Sequence, residues 1–250
     1  MRFEERLKEK FLYSKGKNFF KSIYFIIQKL KKNKHRKISY SGGAIDLIIE
    51  HYFRNKAKGI YIDVGAYHPI MGNNTFKLFN KGWSGINIDL DFHTIDILNN
   101  FRPNDENIIA AVSDKIEKKK LYFHHNRSAI NTLEKSKGGK SKEIREVTTN
   151  TLNNIIENSK YKDLEIDFIS IDVEGHEMKV VKGFDLEKYS PKIVVIEHQD
   201  LDMKKEEFHN QNIEKIIKSN IYNHMISRNY ALVNWLHADL VFINKNLQDN

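Results

Sequence analysis

From residue 41 to the end of the chain, short apolar runs alternate with stretches in which apolar residues recur at helical spacing. Several runs are almost continuously apolar, which is typical of strands buried on both faces of a parallel sheet. Strands that alternate with helices favour a doubly wound α/β sheet. We therefore predict strands over residues 59–65, 85–89, 107–112, 166–172, 192–197, 230–235 and 239–243, and helices over residues 75–81, 92–100, 151–159 and 175–189.

The last two apolar runs are separated only by residues 236–238. This spacing predicts a C-terminal hairpin whose last strand is antiparallel to its neighbour. Residues 113–147 have a different character and predict a strand near residues 120–124 followed by a mobile, lysine-rich surface loop. In that loop His124, His125 and Arg127 could bind a phosphate, although a solvated basic loop is the simpler interpretation.

The basic character of the chain belongs to its first 40 residues. They carry 13 Lys/Arg and 3 Asp/Glu, whereas the whole chain has a net charge of +8, so the remainder is nearly neutral. Phe19, Ile23, Ile26 and Leu30 follow helical spacing among lysines. We predict a basic helical arm over residues 1–40 that packs on the domain or on a second subunit, with a membrane-surface helix attracted to anionic lipid as the alternative.

Several classes of protein are excluded or disfavoured by what the sequence lacks. No cysteine is present, which excludes disulfides, thiolate metal sites and a cysteine nucleophile. The longest apolar run of the arm, residues 23–27, is far below the roughly 20 residues of a membrane span, and no small-residue cleavage site follows it. We expect a cytoplasmic protein with one domain over residues 41–250, and leave peripheral membrane contact and homo-oligomerisation open.

The first chemical motif is residues 61–68 (YIDVGAYH), an apolar strand that runs into a glycine turn. Ligands of open α/β sheets bind outside the carboxyl ends of the strands, and Gly65 would let a ligand approach the backbone. A plain strand–turn–helix is the alternative. Only one glycine of a G-x-G-x-x-G fingerprint is present, which disfavours an NAD-dependent oxidoreductase.

Asp89 ends the second predicted strand, 26 positions after Asp63. A carboxylate at this place can accept hydrogen bonds from both hydroxyls of an adenosine ribose. The alternatives are a solvated carboxylate at the end of a strand, or Asp91 in the same role.

The third motif is residues 170–177 (SIDVEGHE), which follow a buried strand and bring three carboxylates and a histidine together. The residues Glu197 and His198 end the next strand and should lie beside this turn. Glu177 could equally cap the helix that begins after Gly175 instead of acting in the site.

Taken together, these residues resemble the FkbM-type S-adenosylmethionine-dependent methyltransferases. The resemblance runs from about residue 57 to residue 245 and implies a seven-stranded Rossmann-like methyltransferase fold, S-adenosylmethionine as cofactor, and O-methylation, often of sugars. The family usually has a small residue where His176 stands and often Glu where Asp89 stands. The matching segments are residues 63–66 (DVGA), 74–75 (NT), 82–89 (GWSGINID) and 171–177 (IDVEGHE), with Val181 and Gly183 after them.

The resemblance also implies which residues hold the cofactor. Thr75 would contact its carboxylate, Asp89 would hold the ribose, and Leu90 would lie beside the adenine. Ser113 and Asp114 would meet the adenine amino group. The residues that would shape the methionine end of the pocket are Asp63, Gly65, Ala66 and Tyr67.

Methyl transfer to a hydroxyl requires alignment of the oxygen and removal of its proton. Asp172 and Glu174 would face the reacting centre, and we favour His198 or Glu174 as the base, with Asp172 orienting the reactants. His176 is either a substrate-specific group or a bystander. A less favoured arrangement has Asp172 and Glu197 hold Mg²⁺ or Mn²⁺, which would acidify the hydroxyl.

The expected acceptor is a hydroxyl of a nucleotide-linked sugar or of a glycan or polysaccharide precursor. The loop at residues 113–147 and the C-terminal hairpin should flank the cleft and select this acceptor. A nucleic-acid methyltransferase that uses the basic arm is one alternative, disfavoured because there is no cysteine nucleophile and no two prolines are adjacent. A non-catalytic membrane-surface scaffold of the same fold is another.

Overall fold

The computed structural model describes residues 6, 18–30, 37–198 and 211–247 of the 250-residue chain. They fall into two compact units, divided after Ile38. In the first unit, helix α1 (Asn18–Leu30) lies where the apolar spacing predicts a helix. Among the helices of the described residues, none combines the length and the apolar character that a membrane crossing needs.

The second unit is built on a seven-stranded sheet. The strands of the unit are β1 (Ile60–Val64), β2 (Ser84–Asp89), β3 (Glu106–Ile109), β4 (Ala111–Val112), β5 (Lys118–Phe123), β6 (Glu143–Asn150), β7 (Phe168–Ile171), β8 (Ile193–Glu197), β9 (Tyr230–Leu236) and β10 (Asp239–Asn244). The large sheet has the order β3-β2-β1-β7-β8-β10-β9. Strands β3, β2, β1, β7 and β8 are parallel, and β10 is antiparallel to both β8 and β9. The predicted doubly wound sheet with its antiparallel C-terminal hairpin is confirmed.

A second, three-stranded sheet in the order β4-β6-β5 differs from the prediction. The apolar run at residues 107–112 was predicted as one strand, but it divides between the two sheets. Ile109 ends the pairing with β2, whereas Ala111 and Val112 pair with Thr149 and Asn150 of β6. Strand β6 itself was not predicted, because most of its side chains are exposed and it therefore has no apolar run.

Helices connect the strands on both faces of the large sheet. The helix predicted over residues 175–189 is two helices, because Gly183 approaches another part of the backbone. A Cβ at Gly183 would lie 2.2 Å from the carbonyl oxygen of Ser113, and Asp185 then caps a new helix by accepting from the N–H groups of Glu187 and Lys188. The helices are α2 (Ile45–Tyr52), α3 (Phe76–Phe79), α4 (Phe92–Phe101), α5 (Leu152–Glu157), α6 (Glu177–Lys182), α7 (Leu186–Tyr189), α8 (Ile213–Lys218) and α9 (Asn220–Ser227).

Side chains alternate between two cores along the central strand β1. Ile62 and Val64 belong to the larger core, which includes residues of α5, α6 and α9. Tyr61 faces the opposite core, which includes Ile45 and Ile49 of α2. Burial on both faces explains why the central strands have nearly continuous apolar sequences.

Candidate active site

An open cleft lies at the carboxyl ends of β1, β2 and β7. Strand β1 pairs with β2 on one side and with β7 on the other, so this edge is the switch point at which open α/β sheets bind ligands. The cleft is open on one side, with about 860 Å³ of empty space when the solvent at its mouth is counted. Its lining includes Gly65, Tyr67, Asp89, Leu90, Asp91, Arg127, Asn131, Thr132, Asp172, Glu174 and His176.

Gly65 brings the ends of β1 and β7 together at the floor of the cleft. Its φ is +86°, and a Cβ there would lie 1.7 Å from the carbonyl oxygen of Asp172. The N–H of Asp172 in turn donates to the carbonyl oxygen of Val64 at 2.9 Å. Only glycine allows this approach, because it has no Cβ and adopts positive φ without strain.

Asp89 lies at one end of the cleft, with both carboxylate oxygens oriented by the backbone. One accepts from the N–H of Tyr67 at 3.0 Å and the other from the N–H of Asp91 at 2.8 Å. Burial raises the pKa of Asp89 to about 6. Each oxygen retains acceptor capacity, so this carboxylate has the chemistry to bind two neighbouring hydroxyl groups.

Asp91 is the alternative to Asp89, but both of its carboxylate oxygens already accept hydrogen bonds from backbone N–H groups. It caps α4 by accepting from the N–H groups of His93 and Thr94, and its second oxygen accepts from the N–H of Arg127 at 2.8 Å. It therefore fastens the segment after β5 to the cleft. These contacts favour Asp89 over Asp91 as the group that binds a ligand.

Asp63 and Thr75 belong to a buried network and are not among the residues that line the cleft. Asp63 accepts from the side chains of Asn73 and Thr75, both at 3.0 Å. The fully buried guanidinium of Arg102 donates to Thr75 at 2.7 Å and to Asn73 at 2.8 Å. This network orients residues 66–75, the loop that carries Tyr67. The structure therefore places Asp63 and Thr75 where they support the predicted cofactor pocket from behind, and Ala66 is buried against α4.

Ser113 and Asp114 lie beside His176 and also do not line the cleft. Nε2 of His176 is 2.9 Å from the hydroxyl of Ser113, and Nδ1 is 2.5 Å from a carboxylate oxygen of Glu134. A carboxylate only accepts, so Nδ1 donates to Glu134. Burial lowers the pKa of His176 against the opposing effect of Glu134. Because both ring nitrogens are hydrogen-bonded, His176 links Ser113 to Glu134 and holds these two residues in place.

Three carboxylates converge beside the cleft, and Asp172 is the one of them that lines it. One oxygen from each of Asp172, Glu177 and Glu197 lies within 4.8 Å of the others. Although Asp172 exposes surface to the cleft, burial of its carboxyl and the neighbouring charge of Glu197 raise its pKa well above the usual range. Two carboxylates held this close disfavour each other's ionisation, which favours one proton shared by the pair.

Glu177 has its own structural function in this cluster. Its carboxylate accepts from the N–H groups of Val173 and Gly175, at 3.1 and 2.9 Å, and so closes the turn after β7. The three oxygens are donors that Mg²⁺ accepts. Two arrangements therefore fit these oxygens: a proton shared by Asp172 and Glu197, or a divalent metal ion in its place.

The sequence favours Glu174 or His198 as the base, and only Glu174 of these two residues lines the cleft. Glu174 lines the cleft with φ +57°, and its carbonyl oxygen accepts from the hydroxyl of Thr132 at 2.8 Å. His198 follows β8, and its N–H donates to the carbonyl oxygen of Ala238. It is not among the residues that line the cleft. The geometry therefore favours the carboxylates over His198 as groups that meet a reactant.

The segment between β5 and β6 contributes residues that were not assigned to the site from the sequence. Thr132 and Glu134 fasten this segment to the turn after β7, and Arg127 lines the cleft with a buried Nε that has no hydrogen-bond partner among the described residues. The sequence contains a weak indication that Arg127 binds an anion. It contains no indication of a role for Glu134, because Glu134 lies in a lysine-rich stretch that resembles a solvated loop.

The residues at this edge fit a nucleoside cofactor by their chemistry. Asp89 offers two oriented acceptors for a ribose, and the apolar Ile88, Leu90, Ala110 and Val112 line the adjoining wall. The 3-2-1-7-8 parallel order, the antiparallel β10 and the cleft at the switch point define a Rossmann-like methyltransferase fold.

The family follows from comparison with known proteins. The model of the methyltransferase FkbM domain matches residues 63–223, more than half of the chain. This chain belongs to that family of S-adenosylmethionine-dependent methyltransferases, as its motifs predicted.

Two solved structures are similar to the chain. One is a candidate caffeoyl-CoA O-methyltransferase from Staphylococcus aureus, with 15% identity, a TM-score of 0.44, and coverage of 89% of this chain and 92% of that one. The other is a candidate S-adenosylmethionine-dependent methyltransferase from Methanococcus maripaludis, with 13% identity, a TM-score of 0.41, and coverage of 85% and 97%. No curated protein sequence matches the chain.

Proposed function

We propose that this protein transfers the methyl group of S-adenosylmethionine to a hydroxyl of a sugar, either nucleotide-linked or in a glycan or polysaccharide precursor. One observation carries the proposal: the same cleft is lined by Asp89 and by Asp172, and the carboxyl group of Asp172 lies close to that of Glu197. The first suits a ribose, and the second suits removal of a proton from an alcohol. The choice of a sugar rests on the resemblance to the family.

When bound, S-adenosylmethionine supplies a methyl group on a positively charged sulfur, and its transfer to an alcohol releases the hydroxyl proton. Asp89 would hold the ribose, and Gly65 would admit the cofactor close to the backbone of β1. We assign the pair of Asp172 and Glu197 as the acceptor of the hydroxyl proton. With one proton shared between the two carboxyl groups, the pair keeps one ionised carboxylate that can take up the proton released by the alcohol. Glu197 would hold Asp172 in place, and Glu174 would orient the acceptor.

The experiment that tests this proposal has two stages. Calorimetric titration with S-adenosylhomocysteine should give a micromolar Kd, equivalent to roughly −8 kcal/mol. Methyl transfer is then measured with a panel of nucleotide sugars and free glycans, with and without a chelator. Activity on a hydroxyl acceptor that persists in chelator supports the proposal. Failure to bind S-adenosylhomocysteine, or methylation of an amine only, would refute it.

The chelator arm also separates the two arrangements of the acidic cluster. Full activity in chelator is expected if Asp172 accepts the proton directly. Loss of activity that is restored by added Mg²⁺ or Mn²⁺ would instead favour the metal arrangement at Asp172 and Glu197.

A further inference from the structure

Helix α1 exposes a strip of large apolar side chains. Phe19, Ile23 and Ile26 follow one face at helical spacing, and they are 71%, 37% and 55% exposed. Phe25 is 59% exposed on an adjoining part of the helix. Exposed apolar residues that cluster in this way mark an interaction surface more often than solitary ones do.

Charge around the helix is of one sign over a long stretch. Between Glu9 and Asp46 the sequence has ten Lys/Arg and no Asp or Glu. An apolar face flanked by lysines is the pattern of a helix that lies in the plane of a membrane surface. Its lysines meet anionic headgroups, while its apolar residues enter the boundary of the acyl chains.

We propose that helix α1 is a membrane-surface helix that binds bilayers containing anionic lipid. The combination of features selects this partner over two others. A second copy of the chain would bring two strongly basic segments together, which like-charge repulsion opposes. A nucleic acid would satisfy the lysines but not the apolar face, because phosphate binding does not bury isoleucine side chains.

This inference does not depend on which acceptor is methylated, and it gives the basic arm a function that the methyltransferase fold does not require. Membrane attachment would hold the enzyme beside acceptors carried on a lipid. It would also restrict the search for an acceptor to the membrane surface.

The test uses the full chain in a flotation assay with vesicles of phosphatidylcholine, with and without phosphatidylglycerol. Binding is expected only to the anionic vesicles. Raising the salt concentration from about 0.1 to about 0.5 M should weaken this binding, because the Debye length becomes shorter. The variant Ile23→Ser/Ile26→Ser keeps every charge and should bind about ten-fold more weakly or worse. The variant Lys29→Glu/Lys31→Glu/Lys32→Glu should lose on the order of a hundred-fold, since each lysine near the surface contributes about five-fold.

The matched control lies in the other compact unit. Ile116 and Ile144 are 60% and 57% exposed there, so Ile116→Ser/Ile144→Ser makes the same chemical change away from the helix and should leave vesicle binding unchanged. Affinity for S-adenosylhomocysteine, measured in parallel, should be the same in all variants, which separates this inference from the proposed function. Equal binding to neutral and anionic vesicles would overturn it. So would salt-steep binding to a DNA or RNA duplex without vesicle binding, or a dimer that Ile23→Ser/Ile26→Ser dissociates.

Discussion

Gly65 offers the sharpest test of the cleft, because the chain contains a second glycine with nearly the same φ. Gly65 and Gly82 have φ values of +86° and +88°. A Cβ at Gly82 would meet nothing within 4 Å, whereas a Cβ at Gly65 would lie 1.7 Å from the carbonyl oxygen of Asp172. Substitution by alanine thus places a Cβ at nearly the same positive φ in both positions but causes a collision at only one.

The magnitudes follow from these distances. A left-handed alanine costs roughly 1–2 kcal/mol, and this should be the whole loss of unfolding free energy in Gly82→Ala. In Gly65→Ala the ends of β1 and β7 must also separate by more than about 1 Å, and forced overpacking of this kind costs about 1–3 kcal/mol more. Both atoms in collision are held by the backbone, so side-chain rotation offers no relief.

Urea denaturation of the two variants measures this difference, provided that the slope with denaturant stays the same. Gly65→Ala should lose about 1–3 kcal/mol more than Gly82→Ala and should bind S-adenosylhomocysteine at least ten-fold more weakly. Gly82→Ala should bind it as the unchanged protein does. Equal destabilisation of the two variants, or full binding by Gly65→Ala, would refute the assignment of Gly65 to the floor of the cofactor site.

Three further predictions concern charged groups. The ionised carboxylate of Asp89 is expected to accept hydrogen bonds from the ribose, and its pKa is raised to about 6, so the affinity for S-adenosylhomocysteine should fall about ten-fold per pH unit below pH 6. Calorimetry of Asp89→Asn should show weak binding that does not change with pH. If the pH dependence persisted in this variant, Asp89 would not be the group that binds the ribose. In Asp172→Asn, kcat should fall by about 10²–10⁴ while affinity for S-adenosylhomocysteine is retained, and unchanged kcat would exclude it as the base. Arg102→Met leaves Asp63 buried without its cation and should cost about 3–5 kcal/mol in urea denaturation, whereas a loss below about 1 kcal/mol would show that the network is dispensable.

The raised pKa of Asp89 also sets the sign of a change in stability. The folded state holds this proton more tightly than the unfolded chain, whose Asp has a pKa near 3.8. Its contribution therefore makes the cofactor-free protein less stable as pH rises from about 4 to about 6. Bound S-adenosylhomocysteine should oppose this loss, because hydroxyl donors favour the ionised carboxylate.

The sheet was predictable because its central strands are buried on both faces. Strands β1, β7 and β8 have nearly continuous apolar sequences, and turn residues end each of them. The ends of parallel strands meet at one edge, so Asp89 and Asp172 could be placed in one cleft from their positions after strands. The hairpin of β9 and β10 was also predictable, because its two strands are joined by a short connection.

Contacts between distant parts of the chain were not predictable from periodicity. The Glu134–His176 contact joins residues 42 positions apart, and Arg102 meets Thr75 over 27 positions. Neither residue shows its burial locally, since Glu134 lies among lysines and Arg102 follows an ordinary helix. Strand β6 was missed for a related reason: its stability comes from pairing with β5, while its side chains remain exposed.

The acidic character of the cleft constrains how the proposed reaction can work. Asp89, Asp91, Asp172 and Glu174 line it, together with Arg127. Full negative charge beside a sulfonium would stabilise the reactant, where the positive charge is concentrated, more than the transition state, where it is dispersed, and would slow the transfer. In the proposed mechanism, a proton shared by Asp172 and Glu197 would reduce this charge and would still leave one ionised carboxylate to receive the hydroxyl proton. Glu197→Gln tests this balance: it keeps a hydrogen-bond donor to Asp172 and should retain most of kcat, whereas Glu197→Ala should lower it. If both variants lost activity equally, the shared proton would not be what Glu197 contributes.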